Sequence, residues 1–75
     1  MADVRARFGA RLRKLRKQRG WTQFEMAERL GLDRSYVAEI EEGKRNVCLM
    51  NIEVIAKGLD VTLSCLFSGI SLKQD

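Results

Sequence analysis

The sequence predicts an all-α fold in which five short helices form one compact bundle. Apolar residues recur every three or four positions, which is the period of a helix with one buried face. No segment shows the sustained alternation of apolar and polar residues that is typical of a strand. Capping residues and glycines separate the helical segments. The predicted helices span residues about 4–19, 23–30, 34–42, 49–58 and 63–68.

The first predicted helix has a single apolar stripe formed by Val4, Phe8, Leu12 and Leu15. Asp3 precedes this stripe in the position of an N-cap, where a carboxylate satisfies free backbone N–H groups. Basic residues occupy the other faces, and a glycine at position 20 ends the helix.

The second and third helices are predicted to form a helix-turn-helix unit. Thr22 and Glu25 have the spacing of a capping box, Gly31 ends the second helix, Asp33 caps the third and Gly43 stops it. A short turn containing glycine joins two helices in this unit, and the second helix can enter the major groove of DNA. The apolar faces are Met26, Ala27 and Leu30 in the second helix and Val37 and Ile40 in the third.

The last two helices have weaker signals at their starts and interiors. Cys48 precedes the fourth helix and is a poor N-cap, and Gly58 inside it costs about 1 kcal/mol relative to alanine. Thr62 caps the short fifth helix. The residues expected to face the core are Leu49, Ile52, Ile55, Ala56 and Leu59, followed by Leu63, Leu66 and Phe67.

Length and composition indicate one folded domain over residues 1–75, with residues 69–75 as a candidate frayed tail. The absence of histidine and the presence of only two cysteines exclude the common zinc sites and catalytic triads. We therefore expect that the protein binds no metal or cofactor and is not an enzyme. No secretory signal or membrane-spanning segment is evident. We expect Cys48 and Cys65 to be reduced and mostly buried thiols of a cytoplasmic protein.

Charge is distributed unevenly along the chain. Residues 1–20 contain eight basic residues and one acidic residue, a net charge of +7, whereas residues 21–75 carry −3. A basic segment of this kind favours a polyanionic partner. At this point two partners remain open, which are nucleic acid and an anionic membrane surface.

Residues 21–44 resemble the phage-repressor/Cro-type helix-turn-helix family, in the stretch WTQFEMAERLGLDRSYVAEIEEGK. The match to the family pattern is made at Trp21, Thr22, Gln23, Met26, Ala27, Gly31, Leu32, Val37, Ile40, Glu41, Gly43 and Lys44. The continuation to Phe67 is similar, more narrowly, to controller proteins of restriction–modification systems. The resemblance implies a sequence-specific regulator that binds a palindromic operator in double-stranded DNA as a homodimer, in the cytoplasm of a bacterium and close to its nucleoid.

The resemblance places DNA-contacting residues on the third helix and beside it. Arg34, Ser35, Tyr36 and Glu39 are the candidates for reading bases, with Arg34 suited to guanine and Glu39 to cytosine. The alternative for Tyr36 is that it is a half-buried packing residue. The alternative for Arg34 is that it forms an ion pair with an acid on the second helix. The candidates for contacting the DNA backbone are Gln23, Lys44, Arg45 and Asn46.

Two further sets of residues have structural roles in the resemblance. Arg16 and Glu41 match a family ion pair that links the first helix to the end of the third, and we predict that this pair is partly buried. The dimer interface is expected at Leu63, Leu66, Phe67 and Ile70, with Leu72 nearby. The alternative is that Leu66 and Phe67 close the core of the protomer.

Two positions depart from the family pattern, because Phe24 and Val54 stand where polar residues are usual. We favour packing of Phe24 against the first helix, and a partner surface is the alternative.

Two other functions are alternatives to the control of a restriction–modification system. An antitoxin-type interaction module or a prophage repressor shares this architecture, although only about seven residues follow the fifth helix, which argues against a toxin-binding segment. We expect no membrane partner and no small-molecule ligand. Contact with RNA polymerase stays open, as do the operator sequence and the direction of regulation.

Overall fold

The computed structural model describes residues 3–70, and these residues form five α-helices with no strand among them. The helices are α1 (Val4–Gln18), α2 (Gln23–Leu30), α3 (Arg34–Glu41), α4 (Leu49–Leu59) and α5 (Leu63–Leu66). The all-α prediction is confirmed, and each helix ends within two residues of its predicted boundary. The largest difference is at α5, because the chain turns after Leu66 and reaches Gly69 with a φ of +81°. Residues 71–75, including Leu72 and most of the predicted tail, lie outside the described residues.

Three of the five helices begin with a side-chain cap. Asp3 accepts hydrogen bonds from the backbone N–H groups that open α1, and Thr62 does the same for α5. At α2, Thr22 Oγ1 accepts from Glu25 N at 3.1 Å and Glu25 Oε1 accepts from Thr22 N at 2.8 Å, so the predicted capping box is present. Asp33 stands at the N-cap of α3 but its side chain makes no capping bond, contrary to the prediction.

The core lies where α1, α2, α3 and α4 meet, and α5 closes it with one side chain. Its fully buried large members are Leu12, Met26, Val37, Ile40, Ile55, Leu59 and Leu66. Four residues predicted to face inward are exposed instead, and Leu49 is the most exposed of them at 78%; they are Val4, Leu49, Leu63 and Phe67. Three of them are the first residue of a helix, and Phe67 follows the last residue of α5.

The two cysteines were predicted to be mostly buried, and this prediction is wrong. Cys48 and Cys65 are both exposed free thiols. Cys48 is the N-cap residue of α4, outside the packed part of that helix, and Cys65 lies on the outer side of the single turn of α5. No helix within residues 3–70 has the length and apolar character needed to cross a membrane.

Glycine permits two close contacts between helices. A Cβ atom at Gly9 would lie 2.7 Å from the Glu41 carbonyl oxygen and closer still to the Ile40 carbonyl oxygen, so α1 approaches the end of α3 at backbone distance. At Gly58, inside α4, an added Cβ would overlap Cδ2 of Leu30. Gly58 therefore has a packing role that helix propensity alone does not reveal.

We expect Gly9→Ala to lower the free energy of unfolding by about 2 kcal/mol, because the new methyl group meets rigid backbone. Gly58→Ala is the matched control, since the Leu30 side chain can rotate away and alanine favours the helix by about 1 kcal/mol. Urea unfolding followed by circular dichroism measures both variants. Equal stability of the two variants would contradict this account of the α1–α3 contact.

Candidate nucleic-acid interface

The α2–turn–α3 unit has the geometry that presents one helix to a groove. α2 ends at Gly31 in the left-handed conformation, with a φ of 68°, and α3 begins three residues later at Arg34. The buried side chains of α2 and α3 pack into the core. The opposite side of α3 is thereby left on the surface of the domain, so that its exposed side chains can contact a ligand.

The N-terminal end of α3 carries two exposed residues with free hydrogen-bonding groups. Within residues 3–70, the side chains of Arg34 and Ser35 make no hydrogen bond and no ion pair. The alternative interpretation of Arg34, an ion pair with an acid of α2, is therefore not what this part of the chain shows. A guanidinium with all five N–H donors available is suited to a bidentate contact with guanine or phosphate.

Three of the predicted DNA-contacting residues contact one another, and they are Tyr36, Glu39 and Arg45. Arg45 Nε donates to Glu39 Oε1 at 2.8 Å, and the Arg45 guanidinium carbon lies 5.2 Å from the centre of the Tyr36 ring. The hydrogen bond from Arg45 to the Glu39 carboxylate raises the pKa of Arg45 above its ordinary value. Both charged side chains are about half exposed, so the pair lies at the surface.

Tyr36 is half-buried, which agrees with its alternative interpretation as a packing residue. Its hydroxyl accepts a hydrogen bond from Asn51 Nδ2 of α4 at 3.0 Å. The sequence reasoning missed Asn51. Its signal was a single amide among the apolar residues of the first turn of α4, between Met50 and Ile52.

The predicted ion pair between Arg16 and Glu41 is present, and both side chains are buried. Arg16 Nε and Nη2 donate to the two carboxylate oxygens of Glu41 at 2.7 and 3.1 Å, and the side chains are 10% and 3% exposed. Arg16 Nη1 also donates to the Trp21 carbonyl oxygen at 2.8 Å. Gln23 Nε2 donates to Glu41 Oε1 at 3.0 Å, so this predicted DNA-backbone residue is joined to the pair.

The remaining predicted backbone contacts lie on the loop between α3 and α4. Lys44 and Asn46 are exposed, and Lys44 Nζ lies 3.4 Å from Glu42 Oε1 in a surface ion pair. Gly43 has a φ of +77° and lies against α1, where an added Cβ would approach the Ala6 Cα to 2.8 Å. Lys44, Arg45 and Asn46 lie exposed on the loop that follows α3.

The residues predicted for a dimer interface have different environments. Leu63 and Phe67 are exposed, Ile70 is partly buried against the core, and Leu66 is fully buried. Leu66 thus closes the core of the protomer, the alternative use left open by the sequence. Leu49 and Met50 are 78% and 77% exposed and were not among the residues predicted for the interface.

Phe24 is 55% exposed at the first turn of α2, so the favoured packing against α1 does not bury it. The alternative use, as part of a partner surface, stays open. Val54, the second departure from the family pattern, is partly buried and packs against the core.

Comparison with known proteins identifies the family of this chain. The family described as Helix-turn-helix matches residues 12–64, which is more than half of the chain. The chain belongs to the helix-turn-helix family. Control protein C.MunI from a Mycoplasma species is 51% identical over 71 residues, which are 93% of this helix-turn-helix chain and 96% of that protein.

Two solved structures of controller proteins have the same fold. The restriction–modification controller protein C.AhdI from Aeromonas hydrophila has a TM-score of 0.79 and 48% identity, over 83% of this helix-turn-helix chain and 94% of that one. The controller protein C.Esp1396I, solved as a tetramer with its natural 35 base-pair operator, has a TM-score of 0.84 and 30% identity, over 93% and 92% of the two chains.

We expect the single substitutions Arg16→Met and Glu41→Leu each to cost about 3–5 kcal/mol, because each strands one buried charge. The double variant removes both charges, so its loss is expected to be smaller than the sum of the two single losses. Urea unfolding of the four proteins measures this coupling. Strictly additive losses would show that the two side chains stabilise the helix-turn-helix independently.

Proposed function

We propose that this helix-turn-helix protein is a transcriptional regulator that binds a specific operator in double-stranded DNA and controls a restriction–modification operon. The observation that carries the proposal is the exposed N-terminal end of α3, where Arg34 and Ser35 keep their donors free within the described residues. Relatives such as C.MunI and C.AhdI, both named as controller proteins, support the choice of operon.

In the proposed complex, α3 enters the major groove with its N-terminal end first. Arg34 makes a bidentate contact to guanine O6 and N7, and Ser35 contacts a base edge or a phosphate. Lys44 and Asn46 bind phosphates beside the groove, and Gln23 donates to a phosphate at the start of α2. The hydrogen bond of Gln23 to Glu41 holds its amide at the helix start, and the second N–H of that amide remains for the phosphate.

We further propose that the regulator binds as a homodimer with two-fold symmetry. Exposed apolar side chains are concentrated on α4 and α5, at Leu49, Met50, Leu63 and Phe67. A second copy on this surface would bury these side chains and place two α3 helices about 34 Å apart, one turn of DNA.

The proposed regulator acts at a promoter, either by covering it or by contacting RNA polymerase. We propose that control depends on the concentration of the dimer and on the arrangement of its operators.

Arg34→Ala is expected to weaken operator binding by about 1–3 kcal/mol and to relax the base preference at one position in each half-site. The experiment selects bound duplexes from a random pool and then measures their affinities by fluorescence anisotropy at two salt concentrations. Lys57→Ala is the matched control, because it removes one positive charge from an exposed site on α4. Salt-sensitive binding with no enriched palindrome would overturn the proposal of a specific operator.

Leu63→Glu is expected to convert the dimer to a monomer of 8.6 kDa, because it places a charge in the buried interface. Sedimentation equilibrium measures the mass of each variant. Phe24→Glu makes the same type of change at an exposed apolar residue on α2, and we expect this variant to remain dimeric. The reverse result, a monomeric Phe24 variant and a dimeric Leu63 variant, would place the interface at α2.

A further inference from the structure

Four polar side chains from α3, α4 and the loop between them are connected to one another. We call this group the Arg45 cluster, and it includes three of the predicted DNA-contacting residues. Its members are Tyr36 and Glu39 of α3, Arg45 of the following loop and Asn51 of α4. Asn51 holds the Tyr36 hydroxyl at 3.0 Å, the Tyr36 ring lies beneath the guanidinium, and Glu39 accepts from Arg45 Nε at 2.8 Å. The cluster thus ties a surface loop to two helices.

The Arg45 cluster leaves one edge of the guanidinium available. Arg45 uses Nε for Glu39 and one face for the Tyr36 ring, while Nη1 and Nη2 donate to no group within residues 3–70. Those two nitrogens carry four N–H donors in a planar fork that matches two oxygens of a phosphate. The side chain is 52% exposed, so a ligand can reach that edge.

We propose that Asn51 and Glu39 are positioning residues that hold Arg45 ready for a DNA phosphate, an inference that rests on the proposed DNA-binding function. Asn51 fixes the ring, and the ring and the carboxylate fix the guanidinium. The phosphate binds the Nη1–Nη2 edge without breaking the contact to Glu39. Glu39 then acts through Arg45 and does not read cytosine.

Preorganisation accounts for the benefit of such an arrangement. A free arginine on a loop loses rotamer entropy when it binds, and holding the side chain beforehand removes part of that cost. The ion pair also balances the charge of Glu39, which would otherwise repel the phosphates next to α3. The cluster therefore lets an acidic residue remain on a surface that binds a polyanion.

The first test is a double-mutant cycle on operator affinity, measured by anisotropy over a series of salt concentrations. Asn51→Ala is expected to weaken binding about 3- to 10-fold, the fold-change that corresponds to the ordering cost of one long side chain. Its effect should disappear when Arg45 is already alanine. Arg45→Ala itself should lower the slope of log affinity against log salt by about 0.9, because one phosphate contact is lost. Additive effects of Asn51→Ala and Arg45→Ala would overturn the proposal.

Tyr36→Phe provides an independent variant if Asn51→Ala fails to fold. It deletes the same hydrogen bond while keeping the ring. The loss of affinity should again depend on Arg45, and the selected operator should keep the same base preferences. A loss that persists in the Arg45→Ala background would show that the hydroxyl contacts DNA itself, and would overturn the positioning role of Asn51.

The second test asks whether Glu39 positions Arg45 or reads a base. Glu39→Ala is compared with Glu53→Ala, which controls for the loss of one negative charge from an exposed site on α4. Positioning predicts that Glu39→Ala binds more weakly than Glu53→Ala with unchanged base preferences. A lost cytosine preference, present also in the Arg45→Ala background, would assign base reading to Glu39 and contradict the proposal.

These results are separable from a failure of the proposed function. If wild type and Arg34→Ala select the same unenriched pool, the operator-binding function fails and the cluster fails with it. If Arg34→Ala loses specificity while the cycle with Asn51 is additive, the function stands and only the positioning role is lost.

Discussion

The buried ion pair of Arg16 and Glu41 is the constraint on which the position of α3, the helix proposed to read DNA, depends. Two charges at 10% and 3% exposure are tolerated only when their donors and acceptors are satisfied. Here that requires the end of α1, the last residue of α3, the Trp21 carbonyl and Gln23 of α2 to meet at one point. Because a shift of α3 would leave a charge without its partner, the pair fixes the C-terminal end of that helix. A helix of eight residues is stiff, so its N-terminal end with Arg34 is fixed as well.

This constraint explains why small residues lie where α1 and α3 meet. The guanidinium of Arg16 reaches Glu41 only if α1 passes close to the α3 carbonyl groups, and Gly9 provides that passage two turns earlier on the helix. Gly43 continues the same close approach against Ala6 and starts the loop that carries Arg45. The buried pair, the glycine contact and the direction of the loop are therefore consequences of one packing arrangement.

Most of the fold could be predicted from the sequence, because helical periodicity and capping chemistry are local. The capping box of Thr22 and Glu25 and the glycine after α2 located the helix-turn-helix within a residue or two. Exposure at Leu49 could not be predicted in the same way, since it depends on how far α4 extends past its neighbours. The exposed position of Arg34 and the buried Arg16–Glu41 pair came from the family resemblance. The pairing of Glu39 with Arg45 depends on the path of a loop, which no local pattern specifies.

The charge of the N-terminal segment shows why net charge alone is a poor guide to a binding surface. Of its eight basic residues, Arg5 pairs with Asp3, Arg11 donates to the Cys65 and Leu66 carbonyl oxygens, Arg16 binds Glu41, and Arg19 donates to the Leu59 carbonyl oxygen. At least four of the eight positive charges that suggested a polyanionic partner thus satisfy acceptors within the domain itself. In this domain the donors that remain available for DNA include Arg34 and the free edge of Arg45, which lie outside the basic segment. The binding surface is defined by which donors the fold leaves unsatisfied, because those are the donors for which a ligand competes only with water.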